Sequence, residues 1–268
     1  MTLLEILLLL ARNLALIVVV MLALWLLALK LKDVSFIDGV WGLGMVLLAG
    51  ATFLQTDGDP LRKGLLTGLC AVWGIRLGVH LLKRWRAHGP DRRYQALLKS
   101  RANKGQGFAP ASLMFVFLPQ AVLLWLTCLP VQLGQVAAAP AVGWIGWIGA
   151  ALALFGIVFE TVADAQLSAF KRDPDSKGKV LDTGLWRYTR HPNYFGDACV
   201  WWGLWLVAAE TVPGLFAILG PIFLTFTLTK WSGAPTTEGG MHKSRPGYAD
   251  YVARTSGFFP LPPKKTAG

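Results

Sequence analysis

Long runs of apolar residues, separated by short polar segments, dominate the pattern of hydrophobic and polar positions along the chain. A helix that crosses the hydrocarbon core of a bilayer needs about 20 apolar residues. In the first run only Glu5, Arg12 and Asn13 are polar. The pattern predicts seven membrane spans, at residues 3–29, 34–54, 64–83, 111–130, 141–170, 193–209 and 212–229.

The ends of this pattern refine the prediction. The first run is too long for a signal peptide, has no basic start and is followed by no small-residue cleavage site, so we expect it to be retained as a helix. The last two spans are short and tightly joined around Pro213, which predicts a helical hairpin. No internal repeat or low-complexity linker interrupts the chain. We therefore predict a single multi-pass membrane domain over residues 1–268.

The charge pattern assigns a side to each loop. The net charge is +11, and most of the 26 Lys and Arg fall into four groups: Lys30 with Lys32, residues 83–104, residues 171–190 and residues 230–265. With seven spans, all four groups lie on one side, and cytoplasmic loops are the ones enriched in bases. The opposite loops are residues 55–63, 131–140 and 209–212. The predicted fold is an all-α integral membrane protein with its amino terminus outside and its carboxyl terminus in the cytoplasm.

The predicted membrane location limits the kinds of binding partner that we expect. The basic charge follows the positive-inside rule, so it does not indicate nucleic acid. We expect contact with membrane lipid, a lipophilic small molecule entering from the bilayer, and a monomer. The membrane would be the inner membrane of a bacterium or the endoplasmic reticulum of a eukaryote.

Metal and soluble-type nucleotide motifs are missing from the sequence. Cys70, Cys128 and Cys199 lie in apolar segments, and their number and spacing suit no disulfide or metal framework. No pair among the four His has the spacing of zinc ligands. Neither G-x-G-x-x-G between a strand and a helix nor G-x-x-x-x-G-K-[ST] occurs. A nucleotide, if bound, would be held by helix ends and cytoplasmic loops.

Ionisable residues gather at the predicted inner ends of the spans. Glu160 and Asp164 are four residues apart and share one helical face, with Lys171 beyond them. Arg76 lies inside an apolar span, where a charge is expected to face a cavity and a partner. The alternatives are solvated helix ends and bases such as Arg84 that extend to lipid headgroups.

The second span opens with VSFIDGVWGLG. Ser35 is a candidate cap for the start of this helix. Asp38 is less easily explained by such a structural use, and an isolated acid in a membrane helix indicates a functional site by default.

The segment GLWRYTRHPNYFGDACVWWGLWL, residues 184–206, changes from basic and aromatic to apolar. Pro192 suits the first turn of a helix, whose free N–H groups favour an anion. Asn193 and Asp197 share a face of that helix. Arg suits phosphate, and Tyr stacks on flat rings. In the tail, Tyr248, Tyr251 and Arg254 would share a face of a short helix, either at the membrane interface or as a lid. Together these features favour a cytoplasmic cofactor with phosphates and rings.

The motif WRYTRHPNYFGD, the Trp-rich helix after it, Glu238 and the ending RPGYADYVARTSGFFP resemble the carboxyl-terminal region of the steroid 5-alpha-reductase family. Sterol C14-type reductases share the HPNYxGD signature. The resemblance extends over residues 34–260 and is strongest over 155–260.

The resemblance implies an NADPH-dependent oxidoreductase that reduces a C=C bond conjugated to a ketone in a steroid-like, 3-oxo-4-ene substrate. Hydride goes to the beta carbon and a proton to the alpha carbon. Residues 230–268 would form a cytoplasmic tail that closes the cofactor site. The implied cofactor-binding residues are Arg76, Arg84, Glu160, Asp164, Lys171, Arg187, Tyr188, His191, Asn193, Tyr194, Asp197, Glu238, Arg245, Tyr248, Tyr251 and Arg254.

The residues expected to polarise the ketone differ in this sequence from those of the family. Family members that act on 3-oxo-4-ene steroids use an acid, a glutamine and a tyrosine. The second span offers Asp38 with Trp41 close by, and Trp73 stands where a tyrosine is expected. We predict these three as catalytic residues. The working hypothesis is that protonated Asp38 donates a hydrogen bond to the ketone.

The sequence motifs are also compatible with two other functions. Membrane methyltransferases of the isoprenylcysteine carboxyl type, which use S-adenosylmethionine, share an RHPxYxG signature and a basic, aromatic tail. The abundance of bases favours a cofactor with three phosphates over one with none. A lipid-binding scaffold or transporter is the third possibility, although the chain shows no inverted repeat of the kind that transporters carry.

Overall fold

The computed structural model describes residues 1–264 except the side chain of Lys243, so the last four residues of the predicted tail lie outside the described part. Within that part the chain is helical and has no β-strand. The helices are α1 Leu3–Leu31, α2 Ile37–Gln55, α3 Pro60–His88, α4 Arg92–Ala102, α5 Phe108–Ser112, α6 Leu118–Thr127, α7 Leu129–Leu133, α8 Trp144–Arg172, α9 Pro192–Ala208, α10 Val212–Phe216, α11 Leu219–Phe226, α12 Ala234–Ser244 and α13 Tyr248–Arg254.

The predicted membrane class is confirmed. Among the described residues, six helical stretches are long and apolar enough to cross a bilayer: Leu3–Leu31, Ile37–Gln55, Pro60–His88, Phe108–Thr127, Trp144–Arg172 and Val212–His242. The remaining predicted span corresponds to α9, which has 17 residues and is therefore about 25 Å long at 1.5 Å per residue. The count of seven spans and the side of each terminus stay predictions.

Local signals at the helix ends are partly as predicted. Helix α9 begins at Pro192, and Thr211 caps α10 directly after the turn that follows α9. The prediction that Ser35 caps α2 is wrong, because α2 begins at Ile37 without a side-chain cap. The Ser35 hydroxyl donates to Asp33 at 2.7 Å and accepts from the backbone N–H of Asp91 at 2.7 Å. It therefore joins two loops that precede helices.

The chain divides into two compact units. The first comprises Met1–Trp147 and Leu204–Gly220, and the second comprises Ile148–Gly203 and Pro221–Gly268. Each unit is described by itself.

In the first unit, α2 packs on α3 through backbone contacts at glycines. A Cβ added to Gly74 would lie 2.5 Å from the carbonyl oxygen of Gly42, and one added to Gly78 would lie 2.9 Å from that of Gly39. Small residues allow such close approach between membrane helices. The same packing brings the start of α2, with Asp38, beside the end of α3, with Arg84.

Arg62 is part of the core of the first unit, although its position in a predicted loop suggests a surface base. Its side chain is fully buried, and it donates to the carbonyl oxygens of Pro140 at 2.9 Å and Val207 at 3.2 Å. It also pairs with Glu210 at 3.4 Å. Glu210 in turn accepts from the N–H group of Gly143 at 2.9 Å, so the pair ties the α3 start to two turns.

In the second unit, α8 crosses α9 at small residues. A Cβ added to Gly203 would lie 2.5 Å from both the Gly149 carbonyl oxygen and the Ala153 backbone nitrogen. Next along the helices, Gly156 meets Gly196 in the same way. This crossing fixes the helix face that carries Asn193.

Gly203→Ala is expected to destabilise the protein, because both atoms next to the new methyl group are backbone and cannot rotate away. Overpacking of this kind costs about 1–3 kcal/mol. Thermal unfolding of the purified protein in detergent measures the effect. Gly68→Ala is the matched control, since a Cβ at Gly68 meets nothing within 4 Å. Equal unfolding temperatures for the two variants would contradict the tight crossing.

Candidate functional site

A cluster of hydrogen-bonded side chains surrounds Asp38 in the first turn of α2. Its Oδ1 accepts from the hydroxyl of Tyr94 at 2.6 Å. Its Oδ2 accepts from Arg93 at 2.6 Å and from Arg84 at 3.4 Å. The carboxylate is therefore the acceptor in each of these contacts. The Asp38 cluster, as we call it, comprises Asp38, Trp41, Arg84, Arg93, Tyr94 and Gln120.

Tyr94 is the centre of this cluster. Besides donating to Asp38, its hydroxyl accepts from the amide nitrogen of Gln120 at 2.9 Å. The amide oxygen of Gln120 accepts from the indole N–H of Trp41. Burial, followed by the charge of Asp38, raises the pKa of Tyr94 well above its usual value of 10. The phenol therefore keeps its proton at neutral pH and can act as a hydrogen-bond donor.

The cluster contains two of the three residues predicted to be catalytic. Asp38 and Trp41 lie within it, whereas Trp73 is buried in α3 with 1 % of its surface exposed. The sequence reasoning did not select Tyr94 or Gln120 for the site. Tyr94 lies on α4, outside the predicted spans, and only the folding of α4 onto α2 brings it to Asp38.

Two residues predicted to bind the cofactor also lie in the first unit. Arg84 contacts Asp38, as described above. Arg76 is half-buried on α3, eight residues earlier on the same helix. The other residues predicted to bind the cofactor belong to the second unit.

In the second unit, Glu238 of α12 holds together the segment before α9. Its Oε1 accepts from the Nε of Arg190 at 2.8 Å and from the Nε2 of His191 at 2.8 Å. The His191 ring stacks on Tyr194 with centroids 5.1 Å apart. Arg190 also donates to the carbonyl oxygen of Thr255 at 2.8 Å. These side chains form the Glu238 cluster: Glu238, Arg190, His191 and Tyr194.

The tail is fixed to the segment before α9 by further contacts. The predicted short helix is confirmed as α13, and both Tyr248 and Tyr251 on it are buried. The Tyr251 hydroxyl donates to the carbonyl oxygen of Trp186 at 2.5 Å. Burial, followed by the charge of Glu238, raises the pKa of Tyr248 to about 12.

Two arginines predicted to bind the cofactor take part in this attachment. Arg254 pairs with Asp182 at 2.5 Å. Arg245 donates to the carbonyl oxygens of Lys179 and, at 3.5 Å, of Ser176. Their present partners are therefore protein groups of the same unit.

Asn193 differs from its neighbours, because its side-chain oxygen is buried and has no hydrogen-bond partner among the described residues. It lies in the first turn of α9, directly after Pro192. One turn later, a Cβ added to Gly196 would lie 2.7 Å from the backbone nitrogen of Glu160. A buried polar group without a partner is unfavourable, so an unpaired acceptor at this place is suited to a ligand that carries an N–H or O–H group.

The remaining predicted residues of the second unit differ in exposure. Glu160 and Asp164 are buried, with 3 % and 8 % exposed. Arg187, Tyr188 and Lys171 are exposed, and Asp197 is half-buried on α9. Exposed Arg and Lys side chains suit contact with the phosphates of a ligand.

The second unit also contains an apolar cavity of about 360 Å³. Its lining residues are Leu152, Phe195, Ala198, Cys199, Trp202, Thr225, Phe258 and Phe259. Within the described part of the chain, no three His, Cys, Asp or Glu side chains are placed to hold a metal ion.

The profile of one protein family matches residues 24–255. That family is described as proteins of unknown function, DUF1295. No curated protein and no solved structure matches the chain. The matched range contains every residue predicted for the site, from Asp38 to Arg254.

Proposed function

The chain belongs to the DUF1295 family, and because the description of that family names no activity, we propose a function from the chain's own residues. The protein reduces, with NADPH, a C=C bond conjugated to a ketone in a lipophilic, steroid-like substrate. The observation that carries this proposal is Tyr94 hydrogen-bonded to both Asp38 and Gln120. An acid, a tyrosine and a glutamine are the residue types that the resemblance to 3-oxo-4-ene reductases leads one to expect.

Tyr94 takes the role that the sequence assigned to Asp38. Asp38 accepts hydrogen bonds from Tyr94 and two arginines, so the geometry favours it as an acceptor that positions the phenol. The O–H of Tyr94 donates to Asp38 in the free protein, and when the substrate binds it turns to the ketone oxygen and donates to it instead. Negative charge develops on that oxygen when the beta carbon is reduced, and a positioned donor stabilises it most at that stage.

We assign the residues that bind the cofactor to the second unit. NADPH supplies the hydride when it is bound. The unpaired oxygen of Asn193 suits an amide N–H group such as the nicotinamide carboxamide. Exposed Arg187 and Lys171 suit phosphate, and exposed Tyr188 suits a ring. We propose that these cofactor-binding residues lie on the cytoplasmic side of the membrane, because the loops near them in the sequence are rich in Lys and Arg.

Asn193→Ala is expected to weaken NADPH binding about tenfold, which corresponds to one hydrogen bond of about 1.4 kcal/mol. Isothermal titration of the purified protein with NADPH measures it. Asn103→Ala, at an exposed position after α4, should bind as the wild type does. An unchanged affinity for the Asn193 variant would remove this residue from the proposed site.

Retention on an immobilised 2′,5′-ADP resin tests the choice of cofactor. The proposal expects the solubilised protein to be retained and to elute with NADPH. If the protein passes through the resin and binds S-adenosylmethionine saturably, the reductase proposal is wrong and the methyltransferase function takes its place.

A further inference from the structure

Helix α4 has two faces of different chemistry. Tyr94, Leu97, Leu98 and Arg101 recur at the spacing of one helical face and are half-buried. The other face is exposed. Residues 92–104 contain no acid. The bases of this segment are Arg92, Arg93, Lys99, Arg101 and Lys104.

Two of these bases are already engaged. Arg93 pairs with Asp38 and, at 2.8 Å, with Asp91. The guanidinium group of Arg101 lies 3.6 Å from the centroid of the Phe115 ring. The other three, Arg92, Lys99 and Lys104, are exposed, and Asp91 is the only acid between residues 83 and 104. The exposed face of α4 is therefore a surface of uncompensated positive charge.

The chain connections keep α4 next to the bilayer. It lies between two candidate membrane spans, Pro60–His88 and Phe108–Thr127. Three residues separate it from the first and five from the second, and such links reach at most about 11 Å and 18 Å. A helix held there, with an apolar stripe and a basic face, has the character of an interfacial helix.

We infer that the basic face of α4 binds the headgroups of anionic phospholipids in the surrounding membrane. Charge complementarity favours this occupant, because bases at a membrane surface attract anionic lipid and the link lengths hold these bases at that surface. The consequence for turnover rests on the proposed function. Since α4 also carries Tyr94 and Arg93, lipid binding would hold the phenol at Asp38.

Hydrogen–deuterium exchange of the full-length protein tests the binding without reference to activity. The protein is placed in nanodiscs of phosphatidylcholine alone or with phosphatidylglycerol. Amide exchange in residues 91–104 should slow at least fivefold with phosphatidylglycerol. The variant Arg92→Gln/Lys99→Gln/Lys104→Gln should lose this protection, because each base contributes roughly fivefold to the affinity for anionic headgroups.

The matched control removes the same charge elsewhere, with Arg172→Gln/Lys177→Gln/Lys179→Gln. It should keep the protection of α4. Equal exchange of the wild type in both nanodiscs, or loss of protection in the control, would overturn the inference. Protection by soluble polyphosphate in phosphatidylcholine nanodiscs, with none from phosphatidylglycerol, would overturn it in favour of a soluble polyanion. If lipid protection is present but NADPH oxidation is absent, the binding stands and the reductase proposal fails.

Discussion

Replacement of Tyr94 by phenylalanine is expected to lower kcat for enone reduction about 10²–10³-fold, the effect typical of removing one donor to a developing oxyanion. The substitution removes the hydroxyl that donates to Asp38 and accepts from Gln120 and keeps the ring. NADPH affinity should be unchanged, because the residues that we propose to bind NADPH belong to the second unit. Steady-state kinetics with a 3-oxo-4-ene steroid, together with titration of NADPH, measures both quantities.

Two further variants make this prediction specific. Gln95→Ala changes the exposed neighbour of Tyr94 on α4 and should leave kcat as it is. Asp38→Asn should lower kcat less than Tyr94→Phe, since the phenol remains but loses the charged group that orients it. Wild-type turnover by Tyr94→Phe would exclude the phenol as the donor. Full activity of Asp38→Asn would also exclude a role for the acid.

Glu238→Ala is expected to destabilise the second unit by about 3 kcal/mol. The carboxylate accepts from Arg190 and from His191, which is 4 % exposed. Removing it leaves their donors without a partner, and hydrogen bonds to charged groups are worth about 1.5–3 kcal/mol each. Chemical denaturation in detergent measures the loss. In this variant, the hydrogen–deuterium exchange of backbone amides should become faster in residues 234–264, because Arg190 helps to hold this segment through the carbonyl oxygen of Thr255.

The control for this prediction is Asp250→Ala, an exposed acid on α13, which should unfold as the wild type does. A different outcome for Glu238→Ala would contradict this structural role and identify Glu238 as a residue that contacts the ligand. In that case Glu238→Ala would unfold at the wild-type denaturant concentration and lose only its affinity for NADPH.

The long apolar helices were predictable because an apolar stretch that crosses a membrane must satisfy its own backbone hydrogen bonds. The polar helices α4 and α12 carry no such signal and were not predicted. The turn after α9 and the start of α9 at Pro192 followed from the position of proline. Ser35 was assigned wrongly, because its spacing from α2 suits a cap but its hydroxyl has better partners in Asp33 and Asp91. Short-range patterns cannot show such competition.

The site was predictable only where one segment carries it. His191 and Tyr194 of the Glu238 cluster were selected as candidates because they lie close together in one motif. Tyr94 and Gln120 were missed because they are 56 and 82 residues from Asp38 along the chain. Packing of several helices brings them to the acid, and a single sequence does not encode that packing in a readable pattern. Arg62 is a similar case, since its partner Glu210 lies far away in the chain.

The central claim is that the chain is an NADPH-dependent enone reductase. In the most direct test, progesterone is added to the purified protein in detergent, and the oxidation of NADPH is monitored by its absorbance. The product is then identified by mass spectrometry. The account predicts that NADPH is consumed in step with a product heavier by two hydrogens. If the protein neither binds NADPH nor oxidises it with this enone, the reductase account is contradicted.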